Sequence, residues 1–352
     1  MRATAEVTEE IMLNAIRYAS AILALAATAL VSAQGMPEKP DVHIAVGGKA
    51  ALYYLPLTIT EELGYFKDEG LNVKISDFKG GSAALRAVVG GSADVVSGAY
   101  EHTINMAARG QKFQAFVLQG RAPQISIGVS MAKVPNYKSP KDLKGLKIGV
   151  SAPGSSTNMF ANYVLEKGGL GPKDVSFVGV GTGSAAIAAI QNGQVDAISN
   201  VDPVMTMLEK QGSVKVIFES RTPKGTEGVF GGPMPAASLY APVEFVQKNP
   251  RTAQALANAV VRALLWLDKA TPQQILATVP ESYQLGDKAM YLFAYDNVRE
   301  AISKDGLIPD AGAKTALKVL KASNPKVDYS KVNLGETYTN QFAQNALKKY
   351  RN

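Results

Sequence analysis

Two carboxylates occupy matched places in the chain. Glu101 follows Gly98-Ala99-Tyr100, and Asp202 follows Asn200-Val201 at a position 102 residues after Tyr100. Facing each other across a gap, such a pair suits general acid–base chemistry. It equally suits the binding of an amine or an amidine-like ring, or the plain capping of two helices. His102, beside Glu101, could join a ligand contact or a catalytic group. Lys49, after Gly47-Gly48, is the candidate inward cation, with a solvated loop lysine as the rival reading. Tyr53, Tyr54 and Tyr100 offer faces that could stack on a planar solute; Tyr54 suits the core as well. Hydroxyl and amide groups gather at Ser82, at Ser155-Ser156-Thr157, at Thr182 and Ser184, and at Asn200. Helix starts of this kind leave N–H groups that attract an anion. At any single loop a Gly-Ser pair that only caps its helix explains the residues. Repetition at four loops favours a shared cleft.

Much chemistry is excluded by what is missing. The 352 residues include no Cys and only two His, at 43 and 102. Thiol catalysis, disulfides, thiolate metal sites and His-rich metal sites are thereby removed. There is no G-x-x-x-x-G-K-[ST] and no G-x-S-x-G. Gly179-Val180-Gly181-Thr182-Gly183 lacks the full dinucleotide fingerprint. No cofactor and no metal are expected. Lys and Arg number 37 against 30 Asp and Glu, for a net charge of +7. The basic residues are scattered singly, without the basic run and interleaved aromatics of a nucleic-acid binder, so no nucleic-acid partner is expected. His43 and Trp266 read as structural, and Arg121 and Arg221 as braces near the crossings between lobes.

The elements that must position these residues repeat. GSAALRAVVGGSADVVS (81–97) aligns without a gap on GSAAIAAIQNGQVDAIS (183–199). Upstream, VHIAVG (42–47) pairs with LKIGVS (146–151), and VKISDF (73–78) with VSFVGV (175–180). Each unit reads β-α-β-α-β, which implies a mainly parallel sheet flanked by helices. A helix is expected over Leu55–Asp68, and a short capped one at Ser139-Pro140-Lys141-Asp142. Beyond about residue 240 glycine thins out and helical periodicity dominates, with Thr252–Lys269 and a cap at Thr271. Chain crossings are placed at 120–123 and 222–235. The expected architecture is α/β and two-lobed, with a helical C-terminal region: lobe one is 40–122 plus 236–352, and lobe two is 123–235. Ligands of open α/β sheets sit outside the carboxyl ends of the strands, which puts the candidate residues in the cleft between lobes.

Residues 1–33 read as an export signal. An apolar stretch follows Arg17 and closes on Val31-Ser32-Ala33, a small-x-small ending. Three acidic residues before Met12 are unusual for a signal, so Met12 is an alternative start. No later run is apolar and long enough for a bilayer. A periplasmic, soluble product is expected.

The segments GGKAALYYLPLTITEELGYFKDEGLNVKI, GGSAALRAVVGGSADVVSGAYEHTINMAARG and DLKGLKIGVSAPGSSTNMF resemble the nitrate/sulfonate/taurine-type solute-binding proteins of ABC transporters, over nearly all of the chain after the signal. The resemblance implies a two-lobed periplasmic binding fold that closes by hinge motion. It also implies a small polar solute, such as a sulfonate, nitrate or taurine, and delivery to an ABC permease by a monomer that is not an enzyme. The alternative is an enzyme on the same scaffold, a lyase or pyrimidine-forming enzyme, using Glu101, His102 and Asp202. An ionised carboxylate facing inward would repel a lone sulfonate or nitrate. The expected ligand contacts are Lys49, Tyr53, Ser82, Tyr100, Glu101, Ser155, Ser156, Thr157, Thr182, Ser184, Asn200 and Asp202.

Overall fold

Short β-branched runs separated by Gly- and Ser-led helices fold as parallel strands with crossover helices, because a parallel pair cannot be joined by a tight turn. The computed structural model describes residues 35–351; the segment expected to be an export signal lies outside them. The chain runs β1 (Asp41–Val46), α1 (Leu55–Glu62), α2 (Tyr65–Asp68), β2 (Asn72–Asp77), α3 (Gly81–Val89), β3 (Val95–Ala99), α4 (Glu101–Ala107), β4 (Phe113–Leu118) and β5 (Ile125–Ser130). It continues through β6 (Lys147–Val150), α5 (Ser156–Lys167), β7 (Ser176–Gly179), α6 (Ser184–Gln191), β8 (Ala197–Val201), α7 (Val204–Lys210), β9 (Val214–Glu219), α8 (Pro223–Phe230) and β10 (Ala237–Pro242). The C-terminal part is helical: α9 (Val243–Lys248), α10 (Pro250–Leu267), α11 (Pro272–Thr278), α12 (Lys288–Val298), α13 (Asp310–Ser323) and α14 (Gln341–Tyr350). Among the described residues no helix is long and apolar enough to cross a membrane.

The strands form two five-stranded sheets of the same plan, ordered β2-β1-β3-β10-β4 and β7-β6-β8-β5-β9. In each, three strands are parallel, and an antiparallel strand (β10 or β5) lies between the third and the last. The antiparallel strand is always the one that has just crossed from the other sheet. The crossings touch: Gln119 and Gly120 donate to the Ala237 carbonyl, and Ala236 donates back to Gly120. Such a paired double strand is a natural hinge. Arg121 braces it through Nε to the Glu300 carbonyl at 2.7 Å.

The central strands β3 and β8 are buried along their whole length, as strands covered by helices on both faces must be. They stand 102 residues apart, like the sequence repeat. The repeated aspartates account for part of that match. Asp94 accepts the His43 N–H at 2.9 Å, and Asp196 accepts the Lys147 N–H at 2.8 Å. Each thereby ties the start of its third strand to the first, and each also meets a lysine, Lys39 or Lys133. Burial alone would raise the Asp196 pKa, but the Lys147 N–H and the Lys133 ammonium outweigh it and hold the carboxyl below its usual range. Asp196→Ala is expected to lower stability by about 1–2 kcal/mol at neutral pH in urea unfolding. That stabilisation is complete above the ordinary Asp value of about 4, and is lost as pH falls through the lower folded value. A difference between variant and parent that persisted in acid would contradict this.

Two local expectations change. The helix expected over Leu55–Asp68 is split at Gly64, whose φ of 72° breaks it into α1 and α2. The C-terminal helices also serve both sheets. α10 and α14 pack on each other and on β4, whereas α12 lies against α7 and α13 against α5. The caps at Ser139 and Thr271 form as expected.

Candidate functional site

The carboxyl ends of the parallel strands in the two sheets meet across a seam. The Ser82 N–H donates to Ser155 Oγ at 3.0 Å, and Ser82 Oγ donates to the Pro153 carbonyl at 2.9 Å. The Leu52 N–H donates to the Asp202 carbonyl at 2.9 Å. Glycine permits this approach. At Gly48, where φ is +96°, a Cβ would stand 2.0 Å from Thr182 Oγ1. Asp77 fixes that loop by accepting the N–H groups of Gly48 and Lys49 at 2.7 and 2.9 Å.

Between the loops lies a cavity of about 20 Å³, room for about one water molecule. The first sheet contributes Gly47, Tyr53, Tyr54 and Gly81. The second contributes Ser151, Ser155, Ser156, Thr157, Thr182 and Val201. The lobes are thus closed over a space smaller than a solute of several heavy atoms.

Glu101 lies behind this wall at the start of α4, only 2% exposed. The Ser156 hydroxyl and its own backbone N–H support the carboxyl, yet Oε1 has no hydrogen-bond partner. Burial dominates and pushes its pKa up to about 7. His102 meets Tyr240 Oη through Nδ1 at 2.8 Å, leaves Nε2 without a partner, and is pushed down to about 4 by burial. Tyr53 Oη is buried too, with the Ser156 hydroxyl beside it; burial, then the nearby Glu101, raises its pKa. Because Glu101 holds its proton better in the folded chain, its contribution to stability is complete below the ordinary value of 4.5. It declines as pH rises toward the folded value. A loss on the order of 3 kcal/mol across that window is expected in urea unfolding. Glu101→Gln should flatten the profile, and an equally steep profile in the variant would refute the assignment.

The candidates from sequence separate into three groups. Tyr53, Ser155, Ser156, Thr157 and Thr182 line the cavity. Ser82 and Glu101 stand just behind it: Ser82 bonds Ser155, and Glu101 is supported by Ser156. The rest are held elsewhere. Lys49 Nζ pairs with Glu61 on α1 of its own lobe. Tyr100 turns to the C-terminal segment, where its hydroxyl meets Thr337 Oγ1 at 2.7 Å. Ser184 is exposed at the start of α6, so only Thr182 of that loop reaches the cavity. Asn200 ties Gly181 to β8 through its amide, Nδ2 to the Gly181 carbonyl at 2.9 Å. Asp202 accepts the Thr206 N–H at 2.7 Å and Arg221 Nε at 2.8 Å, which occupies both oxygens. Neither Asp202 oxygen is thus left to join Glu101 and His102.

Sequence reading put Gly47, Gly81 and Val201 at the strand ends facing the cleft without counting them as ligand contacts, and missed Ser151 as lining and Asp77 as the anchor of the Gly48 loop. Asp77 carried a usable signal: an acidic residue at the last position of a strand, beside a glycine loop that needs its amides held. A larger groove of about 620 Å³ shares Ser155 with the cavity and runs between α4, α5 and α13. Arg109, Lys173 and Lys326 line this groove, whereas no Lys or Arg lines the cavity.

Two sheets of matching plan, joined by a paired double crossing and closing on a small hydroxyl-lined cavity, are the two-lobed periplasmic-binding-protein fold. The chain belongs to the NMT1-like family, which it matches over residues 35–280. It is similar to a protein of Bordetella bronchiseptica RB50 of solved structure, at 57% identity and a TM-score of 0.89, over 90% of this chain and 99% of that one. The alkanesulfonate-binding protein SsuA from Xanthomonas axonopodis pv. citri shares the fold at 18% identity and a TM-score of 0.65, over 86% of this chain and 99% of the other. The nitrate/nitrite binding protein NrtA of Nostoc sp. is 22% identical over 272 residues, which span 72% of this chain and 60% of that protein.

Proposed function

We propose that this chain is the periplasmic substrate-binding component of an ABC importer. It captures one small polar solute between its lobes, closes by hinge bending, and presents the closed form to a permease as a monomer. The observation that carries the reading is the cavity at the carboxyl ends of both sheets, sealed by direct bonds between Ser82 and the Pro153–Ser155 loop. Closure follows from ligand only if the closed form binds it more tightly, since equal affinity shifts nothing. Family membership and the named binding functions of its relatives support the reading. The enzyme alternative loses support because both Asp202 oxygens are engaged, by Thr206 and Arg221.

The test is a thermal-shift and small-angle scattering screen over nitrate, bicarbonate, methanesulfonate, taurine, pyrimidines and aromatic acids, with mass spectrometry of whatever co-purifies. A bound solute at about 100 times its Kd should add ~2.7 kcal/mol of stability and compact the chain. Turnover of the solute would favour an enzyme. Absence of any stabilising solute, added or co-purified, would refute the binding role.

A further inference from the structure

We propose that Glu101 selects the solute, and that the solute is one that presents a positively charged N–H group to this carboxyl as the lobes close. The inference rests on the cavity being the solute site. Glu101 belongs to the first lobe, while Ser156, the hydroxyl that supports it, belongs to the second. Parting the lobes withdraws Ser156 from the carboxyl, and in the closed form Oε1 is buried and unpartnered. A carboxylate taken out of water without a counter-charge is strongly disfavoured. Closure therefore has to bring either a proton or a cation.

The protein brings no cation. The titratable groups around Glu101 are Tyr53 and Tyr54 from the turn before α1, Tyr240 from β10, and His102 on its own helix. The tyrosines are neutral, and burial keeps the imidazole neutral down to about pH 4. Lys49 is engaged by Glu61, and Arg221 by Asp202. Arg109, Lys173 and Lys326 line the outer groove and not the cavity.

One more buried polar atom, His102 Nε2, also lacks a partner, and Tyr53 Oη has only the Ser156 hydroxyl beside it. When the imidazole Nδ1 donates to Tyr240, Nε2 is an acceptor. Tyr53 lines the cavity while Glu101 and His102 stand behind it, His102 against Gly81, so Oε1 and Nε2 offer acceptors and the Tyr53 hydroxyl either role. An amidinium or a protonated amino-heterocycle supplies several N–H donors in one plane, and Tyr53 and Tyr54 stand beside it as aromatic walls. The first turns of α3 and α5, which reach the same cavity at Gly81 and Ser156, suit an acceptor atom at the other end of the solute. An oxyanion alone satisfies only that second end.

The test is titration calorimetry with benzamidine and acetamidine as cationic probes, and methanesulfonate and nitrate as anionic ones. Wild type and Glu101→Gln are each measured at about pH 6 and about pH 8, on either side of the carboxyl's titration. The expected result is binding of a cationic probe to wild type, about 10-fold tighter at the higher pH. The variant, shown folded by its thermal melt, should lose that affinity about 10-fold or more and lose the pH dependence. Repeating the wild-type titration in two buffers of different ionisation enthalpy should show proton release at the lower pH, a readout that needs no variant. The proposal is overturned if neither cationic probe binds, if the variant keeps the affinity, or if an anionic probe binds wild type more tightly at the lower pH. In that last case compaction by the anion would leave the importer reading standing while removing the role given to Glu101.

Discussion

Arg221→Met is expected to destabilise the fold by about 3–5 kcal/mol, the largest loss from any single side chain at the seam. The guanidinium is nearly buried, with Nε 2.8 Å from an Asp202 carboxylate that is 1% exposed. Its Nη1 reaches Glu209 and Glu219, both at 3.0 Å. Those two are half exposed, so water screens them and they add little. Asp202 has no such relief. Without Arg221 its carboxylate keeps only the Thr206 N–H and stands as an unpaired charge in the interior. Burial by itself would lower the Arg221 pKa, but Asp202, then Glu209 and Glu219, raise it above the ordinary value; the guanidinium is therefore charged throughout the neutral range. Asp202→Asn should cost less, because the amide can still accept from Thr206 and Arg221 retains two carboxylates. Glu209→Gln and Glu219→Gln should each cost about 1 kcal/mol or less. Urea unfolding of the four variants gives the ranking. A loss of under about 1 kcal/mol for Arg221→Met would contradict the account. Solute binding should weaken as well, since the Asp202 carbonyl holds Leu52 of the other lobe.

The same cluster shows where sequence reading succeeds and where it stops. The offset between Asp94 and Asp196 was legible because both make one local bond to the strand beside them, and a repeat preserves such bonds along with its strands. The hydroxyl-led starts at Ser82 and Ser155 were legible because a helix that begins at the end of a parallel strand points its first turn at the opposite lobe. Asp202 sat at an equivalent place, yet its direction is set by Arg221, 19 residues further on. Tyr100 turned away from the cavity because a hydroxyl 237 residues later accepts it. Lys49 was drawn aside by Glu61, one helix away. Residue type and spacing announce that a group can bind a ligand. Whether the group is free to do so depends on competitors brought in by the fold, and these leave no local mark. Glu101 is the converse case. What distinguishes it is the lack of any partner for one oxygen, and a missing contact cannot be read from neighbours in sequence.

Gly48→Ala is expected to weaken solute binding by about 100-fold or more while leaving most of the folding stability intact. The added Cβ would fall 2.0 Å from Thr182 Oγ1, far inside contact distance, and the two residues belong to opposite lobes. Parting the lobes relieves the clash, so the open form tolerates the methyl group and the closed form does not. The local cost is that of alanine at a φ of +96°, about 1–2 kcal/mol. Two hydrogen bonds to Asp77 keep the loop from swinging aside. Small-angle scattering should show the variant remaining extended at solute concentrations that compact the parent. The partner substitution supplies the control. Thr182→Gly removes the atoms that the methyl group meets, so Gly48→Ala combined with Thr182→Gly should close again and recover much of the lost affinity. A coupling of about 1–3 kcal/mol between the two sites is then expected in the double-mutant cycle. If the two changes are additive, or if Gly48→Ala alone binds like the parent, lobe closure does not pass through this contact. The cavity would then have to be reached by a motion other than hinge opening.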